Sequence, residues 1–334
     1  MSFLYSKYDD GIYRIRKIFG IKIITKPLEN KLNDIHNRFN NIQNRFNEVD
    51  KQIRLLDIRN KARMQLLSMG NEKIIYSLRD EKIIVSLTTY PERICDIDVV
   101  IFSLFNQSIK PDKIILWLAY EEFPNLEKDV PPHVLNLKKF GLQIEFCQNI
   151  YSYKKLIYAL EKYPNDLIVT ADDDIYYPYN WLEKLYNSYL ENPNYIHCHR
   201  AFRIRKDSNG IMPINNWIFI RNIDKKYKPS YLNYFTSGGG VILKKSHLHD
   251  EIFNKEVFLT LANTDDDKYF YCMALLKGTK INVVDNNIAD ILDIGYKHYS
   301  RLYDINRTGI NFKTLLRLLD YYGDTIKSRI MDDN

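Results

Sequence analysis

The sequence predicts an α/β fold in which helices cover a parallel sheet, with a separate helix in front of it. From Lys82 onward, short apolar segments alternate with amphipathic ones, which is typical of a sheet built from strand–helix units. Before that point, apolar residues recur every three or four positions, which is typical of a coiled coil. We therefore divide the chain into a basic and apolar segment, a heptad helix, a sheet domain and a helical extension, at residues 1–27, 28–70, 80–300 and 301–334.

Bulk composition narrows the class of protein. The chain has 334 residues, of which 45% are hydrophobic, enough for one large domain with an appendage. The net charge of +6 is modest and no long basic run occurs, so nucleic acid is not an expected partner. The four cysteines are widely separated and form no metal-type pair, which favours reduced thiols in the cytoplasm. Residues 1–10 are too polar for a secretory signal, and no stretch is long enough to cross a bilayer.

Residues 11–26 alternate basic and apolar side chains. A segment of this kind can lie on an anionic membrane surface, where each cation contributes about 1 kcal/mol. We therefore consider the inner-membrane surface as a partner. The alternative is a small hairpin or strand packed on the body of the protein.

A heptad repeat follows Pro27, which fits the start of a helix. Apolar residues are spaced four, three, four, three over about four heptads, and most other positions are polar. The branched residues at the d positions disfavour a simple two-stranded coil. We expect homo-oligomerisation through this helix; the alternative is a long helix laid on the chain's own sheet domain. The apolar positions are Leu28, Leu32, Ile35, Phe39, Ile42, Phe46, Val49, Ile53 and Leu56.

Four strands and three helices are predicted for the sheet domain up to residue 191, in alternation for most of this length, and a last helix is predicted for the helical extension. Apolar, β-branched runs predict the strands, and apolar residues at helical spacing predict the helices. The strands are 83–87, 113–119, 142–146 and 167–171, and the helices are 94–106, 154–162, 181–191 and 310–322.

Three consecutive carboxylates, Asp172, Asp173 and Asp174, follow the last of these strands. Ligands of open α/β sheets bind beyond the carboxyl ends of the strands, which is where this triplet lies. Like charges repel one another there, so we expect a bound cation, and hard carboxylate oxygens favour Mg²⁺ or Mn²⁺ over zinc. The alternative is a solvated acidic turn.

A series of segments between about residues 82 and 285 occurs in a particular order and spacing. The segments are Ser86–Ile94, Ser103–Ser108 with Lys110 and Pro111, Leu116–Leu118, Tyr153–Leu156, Val169–Asp174, Gly238–Gly240 and Asp265–Asp267. Together they resemble bacterial glycosyltransferases of the GT-A fold, of the kind that build capsule or lipopolysaccharide glycans. The resemblance implies a Rossmann-like nucleotide-diphospho-sugar transferase sheet, to which this chain adds the coiled-coil helix.

The resemblance also implies which residues bind metal and donor. Asp172 and Asp174 would be the ends of an Asp-x-Asp (DXD) motif that holds Mn²⁺ or Mg²⁺ against a nucleotide diphosphate, with Asp173 able to replace either. His298 would complete the metal shell. The nucleotide-sugar donor would contact Thr88, Tyr90, Arg93, Lys154, Lys155, Asp172, Asp173, Gly238, Gly239 and Gly240.

A second acidic triplet, Asp265–Asp267, opens a helix that we expect to end near Gly278. The resemblance implies that Asp265 or Asp266 is the general base for the acceptor hydroxyl. A carboxylate in hydrogen-bonding reach of a weak nucleophile accelerates its attack by about 10²–10⁴-fold. A divalent cation stabilises a departing diphosphate as a Lewis acid. The alternative for this triplet is capping of the helix N-terminus.

Other candidate residues also keep plain alternatives. Lys154 and Lys155 fit ordinary solvated lysines, and glycines 238–240 fit a flexible loop. His197 and His199 lie on one face of an expected strand. A structural or substrate-contact role is favoured for both over metal binding, because no third ligand lies nearby in the sequence.

The resemblance thus implies a metal-dependent, hexosyltransferase-like glycosyltransferase, inverting as a first assumption. Its donor would be a nucleotide-sugar and its acceptor a glycan or lipid-linked glycan of the bacterial surface. Two other classes remain: a nucleotidyltransferase-type phosphoryl enzyme, and a non-enzymatic coiled-coil scaffold with a degenerate GT-A domain. The lack of a Gly-rich phosphate loop near the first strand disfavours the former. The presence of both acidic triplets disfavours the latter.

Overall fold

The chain divides into two compact units, Met1–Lys61 and Ala62–Asn334. Their architecture comes from a computed structural model. It describes residues 5–9, 13–19, 21–25, 28–70, 79–208, 210–221, 227–288, 291–295 and 310–333.

The first unit contains a small sheet and most of a long helix. Strands β1 (Tyr5–Asp9), β2 (Arg14–Ile18) and β3 (Ile21–Thr25) form an antiparallel sheet in this order. Every residue of β3 is exposed, because this strand is an edge of the sheet. Helix α1 (Leu28–Ser68) begins directly after Pro27, as predicted, and runs past the last heptad. Its side chains at heptad positions 32 to 56 are 52–73% exposed.

The second unit is built around a sheet of seven strands. Its strands and the shorter ones beside them are β4 (Ile83–Thr88), β5 (Lys113–Ala119), β6 (Leu142–Cys147), β7 (Leu167–Thr170), β8 (Ile175–Tyr176), β9 (Ile196–Cys198), β10 (Ala201–Arg203), β11 (Lys206–Asp207), β12 (Gly210–Ile211), β13 (Ile218–Phe219), β14 (Asn233–Phe235), β15 (Val241–Leu243), β16 (Ile281–Val283) and β17 (Leu292–Asp293). Its helices are α2 (Ile97–Phe105), α3 (Pro132–Leu135), α4 (Lys154–Lys162), α5 (Trp181–Glu191), α6 (Lys255–Leu261), α7 (Asp266–Lys277), α8 (Ile310–Tyr322) and α9 (Asp324–Asp332).

The large sheet is mixed rather than parallel throughout. Its order is β16-β9-β15-β7-β4-β5-β6, and β4, β5, β6 and β7 pair in parallel as predicted. Strand β15 instead runs antiparallel to both β7 and β9. The expectation of a parallel sheet is therefore correct for the first half of the domain only. The antiparallel strand brings the segment before Val241 to the edge of the sheet where β7 ends.

The predicted strands and helices of this unit are confirmed at nearly their predicted bounds. Strand β5 and helices α4, α5 and α8 match them residue for residue. Helix α2 starts three residues late, after a short 3₁₀ turn at Ile94–Asp96. Apolar side chains on β4, β5 and β7 are fully buried between helices, which explains why these strands read as unbroken apolar runs. Across the described parts of the chain, no helix combines the length and apolarity that a bilayer crossing requires.

Candidate active site

The candidate site lies where parallel strands end and two acidic triplets meet. Strand β7 stops at Thr170, so Asp172–Asp174 stand just beyond its carboxyl end. The loop after β4 carries Thr89 and Arg93 to the same edge. Helix α7 points its N-terminal turn, with Asp266, toward this point. The topology therefore gathers residues from three separate stretches of sequence.

The buried ammonium group of Lys155 joins the two acidic triplets. Its Nζ lies 2.7 Å from Oδ1 of Asp172 and 3.2 Å from Oδ2 of Asp266. The Lys155 side chain is only 5% exposed, so this double ion pair is largely shielded from solvent. Burial opposes the charged ammonium, but the carboxylates of Asp172 and Asp266 outweigh it and raise the pKa of Lys155 well above its usual value. Lys155 is therefore protonated and fixes one triplet against the other.

Arg93 neutralises the rest of the first triplet. Its Nη1 donates to Oδ1 of Asp173 at 2.7 Å and to Oδ2 of Asp174 at 2.9 Å. Thr89 donates its hydroxyl to the other oxygen of Asp173 at 2.7 Å. The guanidinium of Arg93 also lies 5.3 Å from the centre of the Tyr90 ring, within cation–π range. The triplet is thus built into the protein and is not a solvated turn.

The three carboxyl groups of the triplet differ in acidity. Burial disfavours the charged form of Asp172, but Lys155 holds the pKa of this carboxyl below its ordinary value. Burial raises the pKa of Asp173 despite its pairing with Arg93. Burial and the neighbouring carboxylates raise the pKa of Asp174 to about 7. The cluster is therefore short of positive charge at neutral pH, even with both basic side chains present.

The second triplet is not used as a helix cap. Asp265 occupies the N-cap position of α7, but its side chain makes no capping hydrogen bond. Instead Asp265 lies 2.7 Å from Nζ of Lys268, with both groups buried, and burial raises the pKa of Asp265 to about 7. Asp267 accepts a hydrogen bond from the Ser237 backbone N–H at 2.8 Å. Burial and the charge of Asp266 raise the pKa of Asp267 to about 6.

Glycines 238–240 are required because side chains of the site occupy their Cβ positions. A Cβ on Gly238 would lie 2.0 Å from Oδ2 of Asp172. One on Gly239 would lie 2.4 Å from Cβ of Arg200, and one on Gly240 would lie 2.4 Å from the Trp181 indole nitrogen. The backbone of Gly240 also has a φ of +101°, which disfavours any residue with a side chain. All three glycines are buried, so they are not a flexible solvent loop.

Several predicted residues lie away from this cluster. Lys154 pairs with Glu122 at 3.1 Å, so of the two lysines only Lys155 reaches the triplets. The Thr88 hydroxyl donates to the Trp117 carbonyl at 2.8 Å, whereas Thr89 reaches Asp173.

The two strand histidines are structural. His197 contacts the Ser188 hydroxyl and the Asn192 carbonyl, and His199 contacts the Trp181 carbonyl. Burial lowers the pKa of each ring to about 4, so both are neutral. His298 lies outside the described residues.

Four residues of the site were not predicted. Thr89 and Lys268 pair with the two triplets as described above. Tyr177 accepts a hydrogen bond from the Asp172 N–H at 2.7 Å and donates to the Gly238 carbonyl at 3.0 Å. Arg200 lies against Gly238 and Gly239 and lowers the pKa of Asp172 by its charge. Of these four, Thr89 alone carried a sequence signal, because it lies within the segment Ser86–Ile94.

Whether a divalent cation fits the site depends on which carboxylate oxygens of the first triplet are free to bind it. Oδ2 of Asp172 and Oδ1 of Asp174 accept no hydrogen bond from any residue that the structure describes. Within those residues, no three His, Cys, Asp or Glu side chains surround a common point. Mg²⁺-type sites use one or two carboxylates, with water and substrate phosphates as the remaining ligands. Two free hard oxygens beside an under-neutralised cluster therefore fit such a cation when it arrives with a phosphate ligand.

Comparison with known proteins gives a family profile that matches part of the chain. Residues 152–251 match the profile of Glycosyl transferase family 2, a stretch that includes Lys155, the first triplet and the glycines but not Asp265–Asp267. Among solved structures, the chain is similar to S. aureus TarS, at 18% identity and a TM-score of 0.41 over 62% of this chain and 35% of that one. It is also similar to S. aureus TarS 1–349 in complex with UDP, at 16% identity and a TM-score of 0.40 over 62% of this chain and 58% of that one. The chain thus spans less than two thirds of either structure. No curated protein matches it.

The family match and the mixed α/β sheet confirm the predicted GT-A-type domain. The long helix α1 precedes this domain, also as predicted.

The raised carboxyl pKa values predict an unusual pH dependence of stability. A carboxyl whose pKa is higher in the folded chain binds protons more tightly when folded, so the free energy of unfolding rises as pH falls. For Asp174, with a folded pKa of about 7 against an ordinary 3.8, this gain begins near neutrality. The buried rings of His197 and His199 oppose this gain, because their lowered pKa values make the folded chain bind fewer protons than the unfolded chain over the same range. We therefore expect the contribution of the Asp174 carboxyl to the free energy of unfolding of the metal-free protein to grow between about pH 7.5 and pH 5.5, measured as the difference in urea unfolding between the unmodified protein and Asp174→Asn in the presence of a chelator.

Asp174→Asn should reduce the proton uptake on folding over this range by up to about one proton. The matched control Asp320→Asn, at a side chain that is 75% exposed, should leave the pH dependence unchanged. Identical pH dependence in both variants would contradict the raised pKa of Asp174.

Proposed function

We propose that this protein is a metal-dependent glycosyltransferase that uses a nucleotide-sugar donor and a bacterial surface glycan, free or lipid-linked, as acceptor. The observation that carries the proposal is the meeting of two acidic triplets across Lys155 at the carboxyl end of β7. The match of residues 152–251 to Glycosyl transferase family 2 supports the same reaction class. A scaffold protein would not require a second carboxylate group at this position, and a nucleotidyltransferase is disfavoured by the lack of a Gly-rich phosphate loop near the first strand.

In this proposal the first triplet binds the donor diphosphate through a cation. Asp172 and Asp174 would hold Mn²⁺ or Mg²⁺ with their free oxygens, and the bound cation would supply Lewis-acid stabilisation of negative charge on the diphosphate leaving group. Arg93 and Thr89 donate hydrogen bonds to the two carboxylate oxygens of Asp173. The role of Asp173 is therefore to fix the triplet in place. Arg200 adds a guanidinium beside Asp172, where its N–H groups can meet phosphate oxygens.

Asp266 is the general base in this proposal. Its carboxylate faces the first triplet through Lys155, whereas the Asp265 carboxylate is held by Lys268 and that of Asp267 by the Ser237 N–H. Lys155 orients Asp266 through their contact at 3.2 Å, and a carboxylate is a group that can accept a proton from a hydroxyl. A carboxylate base together with a leaving group that a cation would stabilise suits a single inverting displacement.

The metal role predicts the behaviour of variants of the first triplet. Asp172→Asn and Asp174→Asn should each lower the metal-stimulated release of nucleoside diphosphate from the donor by about 10²-fold or more, because the charge opposing the leaving group is lost. The donor is first identified by a thermal-shift screen of nucleotide-sugars with Mn²⁺. Asp320→Asn is the surface control. Full activity of the unmodified protein in chelator would refute metal dependence.

If Asp266 is the general base, its replacement should lower turnover and leave donor binding intact. Asp266→Asn should keep the donor-induced thermal shift but lower kcat by about 10²–10⁴-fold, because the acceptor hydroxyl or water is no longer deprotonated. Asp265→Asn is the matched variant on the same turn, and we expect it to reduce stability more than turnover, since Lys268 loses a buried charged partner. Unchanged turnover in Asp266→Asn would assign the base to another residue.

We also propose that the sheet β1–β3 contacts an anionic membrane surface, the inner membrane if the acceptor is lipid-linked. Large apolar side chains on this sheet are exposed, among them Phe19 at 76% and Ile21 at 67%. Cations lie among them at Lys7, Arg14, Arg16, Lys17 and Lys22. Exposed apolar groups and cations on one small sheet complement the apolar interior and anionic headgroups of a bilayer surface.

Vesicle binding tests this contact. The full chain should cosediment with vesicles rich in anionic lipid and not with neutral ones. Lys17 and Lys22 are cross-strand neighbours, and Lys17→Glu/Lys22→Glu should weaken binding at least about tenfold, at about 1 kcal/mol per cation. The control Lys51→Glu/Lys128→Glu changes the same net charge at other exposed positions. Equal loss of binding in both double variants would rule out a specific role for the sheet.

A further inference from the structure

The exposed stripe of helix α1 is an interaction surface that the proposed reaction does not use. Eight large apolar side chains along residues 32–56 are each more than half exposed. They follow one another at spacings of three and four along a single helix of 41 residues, which is about 60 Å long. Covering such a narrow stripe requires a partner helix with the same seven-residue period.

A second copy of the same helix has the same seven-residue period, so apolar residues of the two copies meet at every layer of the coil. With Leu32, Phe39, Phe46 and Ile53 at the a positions, Ile35, Ile42, Val49 and Leu56 fall at d. Each layer then packs an apolar side chain of one copy against its equivalent in the next. None of these eight positions holds a polar residue.

The charges that flank the stripe favour a parallel arrangement. The g positions are Lys31, Arg38, Arg45 and Gln52, and the e positions are His36, Gln43, Asp50 and Asp57. In a parallel coil each g residue lies near the e residue of the following heptad in its neighbour, which pairs Arg45 with Asp50 and creates no pair of arginines. An antiparallel coil over the same span opposes g to g and brings arginine against arginine. Asp50 also accepts from Arg54 one turn along its own helix at 2.9 Å, a solvent-exposed contact.

The side chains at the d positions favour more than two helices. Three of the four d residues are branched at Cβ, namely Ile35, Ile42 and Val49. Branched residues at d with leucine or larger residues at a shift the preference from two strands toward about three or four. The aromatic rings of Phe39 and Phe46 need the wider core of such an assembly.

We propose that α1 assembles with further copies of this chain into a parallel, in-register coiled coil of more than two helices. Because β1–β3 precedes α1 in the chain, a parallel coil gathers the small sheets of all copies at one end. The inference rests on the stripe and its flanking charges alone, so it stands or falls independently of the proposed enzymatic activity.

Disulfide trapping in the full chain tests the arrangement. The background variant is Cys95→Ser, since Cys95 is exposed and the other three cysteines are buried. Ile35→Cys and Val49→Cys each place a thiol at a d position, where a parallel coil brings it against its own equivalent. Each variant alone should therefore form covalent dimers on mild oxidation. The control Asn44→Cys, at the outer f position, should not.

Two further measurements complete the test. Sedimentation should give a mass of about three or four times the monomer, and Phe39→Asp/Phe46→Asp should reduce it to the monomer. Arg45→Glu should weaken association, and Arg45→Glu/Asp50→Lys should restore it. A monomeric mass for the unmodified chain would overturn the proposal. Cross-linking only when Ile35→Cys is mixed with Ile53→Cys would establish an antiparallel coil, in which a positions face d positions, and would overturn the proposal equally.

Discussion

One buried ammonium group, that of Lys155, holds the site together. It makes ion pairs with Asp172 beyond β7 and with Asp266 at the start of α7, two residues far apart in the sequence. Breaking a buried ion pair from one side costs about 3–5 kcal/mol, so each carboxylate depends on this lysine for its position. The metal site and the base that we propose are therefore parts of one electrostatic unit.

The surrounding fold serves to keep that unit compact. The antiparallel strand β15 returns the chain to the edge where β7 ends, and the three glycines before it leave room for Asp172, Arg200 and Trp181. Tyr177 ties the Asp172 backbone to the Gly238 carbonyl across this junction. A methyl group on Gly238 would collide with the Asp172 carboxylate, so the position of this carboxylate depends on the glycine backbone.

The features that could be predicted from the sequence are those that a local pattern of residues determines. The bounds of β5, α4 and α5 followed from apolar periodicity within ten or so residues, and the strand–helix order placed Asp172–Asp174 at a sheet edge. It did not predict that Thr89 pairs with Asp173, 84 residues away, because such pairs depend on how strands are arranged. Nor did it separate Lys154 from Lys155, since consecutive helix residues point about 100° apart and only the packing of α4 selects one. Strand β15 was not predicted at all, because an apolar segment of three residues is too short to carry a periodic pattern.

Three features combine in one chain: a charged unit at a sheet edge, a small basic sheet and a long helix with an apolar stripe. The central claim is that the carboxylates around Asp173 bind a cation against a diphosphate. A crystal structure with Mn²⁺ and a nucleoside diphosphate tests it most directly. We expect the metal at about 2.1 Å from oxygens of Asp172 or Asp174 and of the diphosphate. Carboxylates still paired only with Lys155 and Arg93, with a bound diphosphate and no metal beside it, would contradict the account.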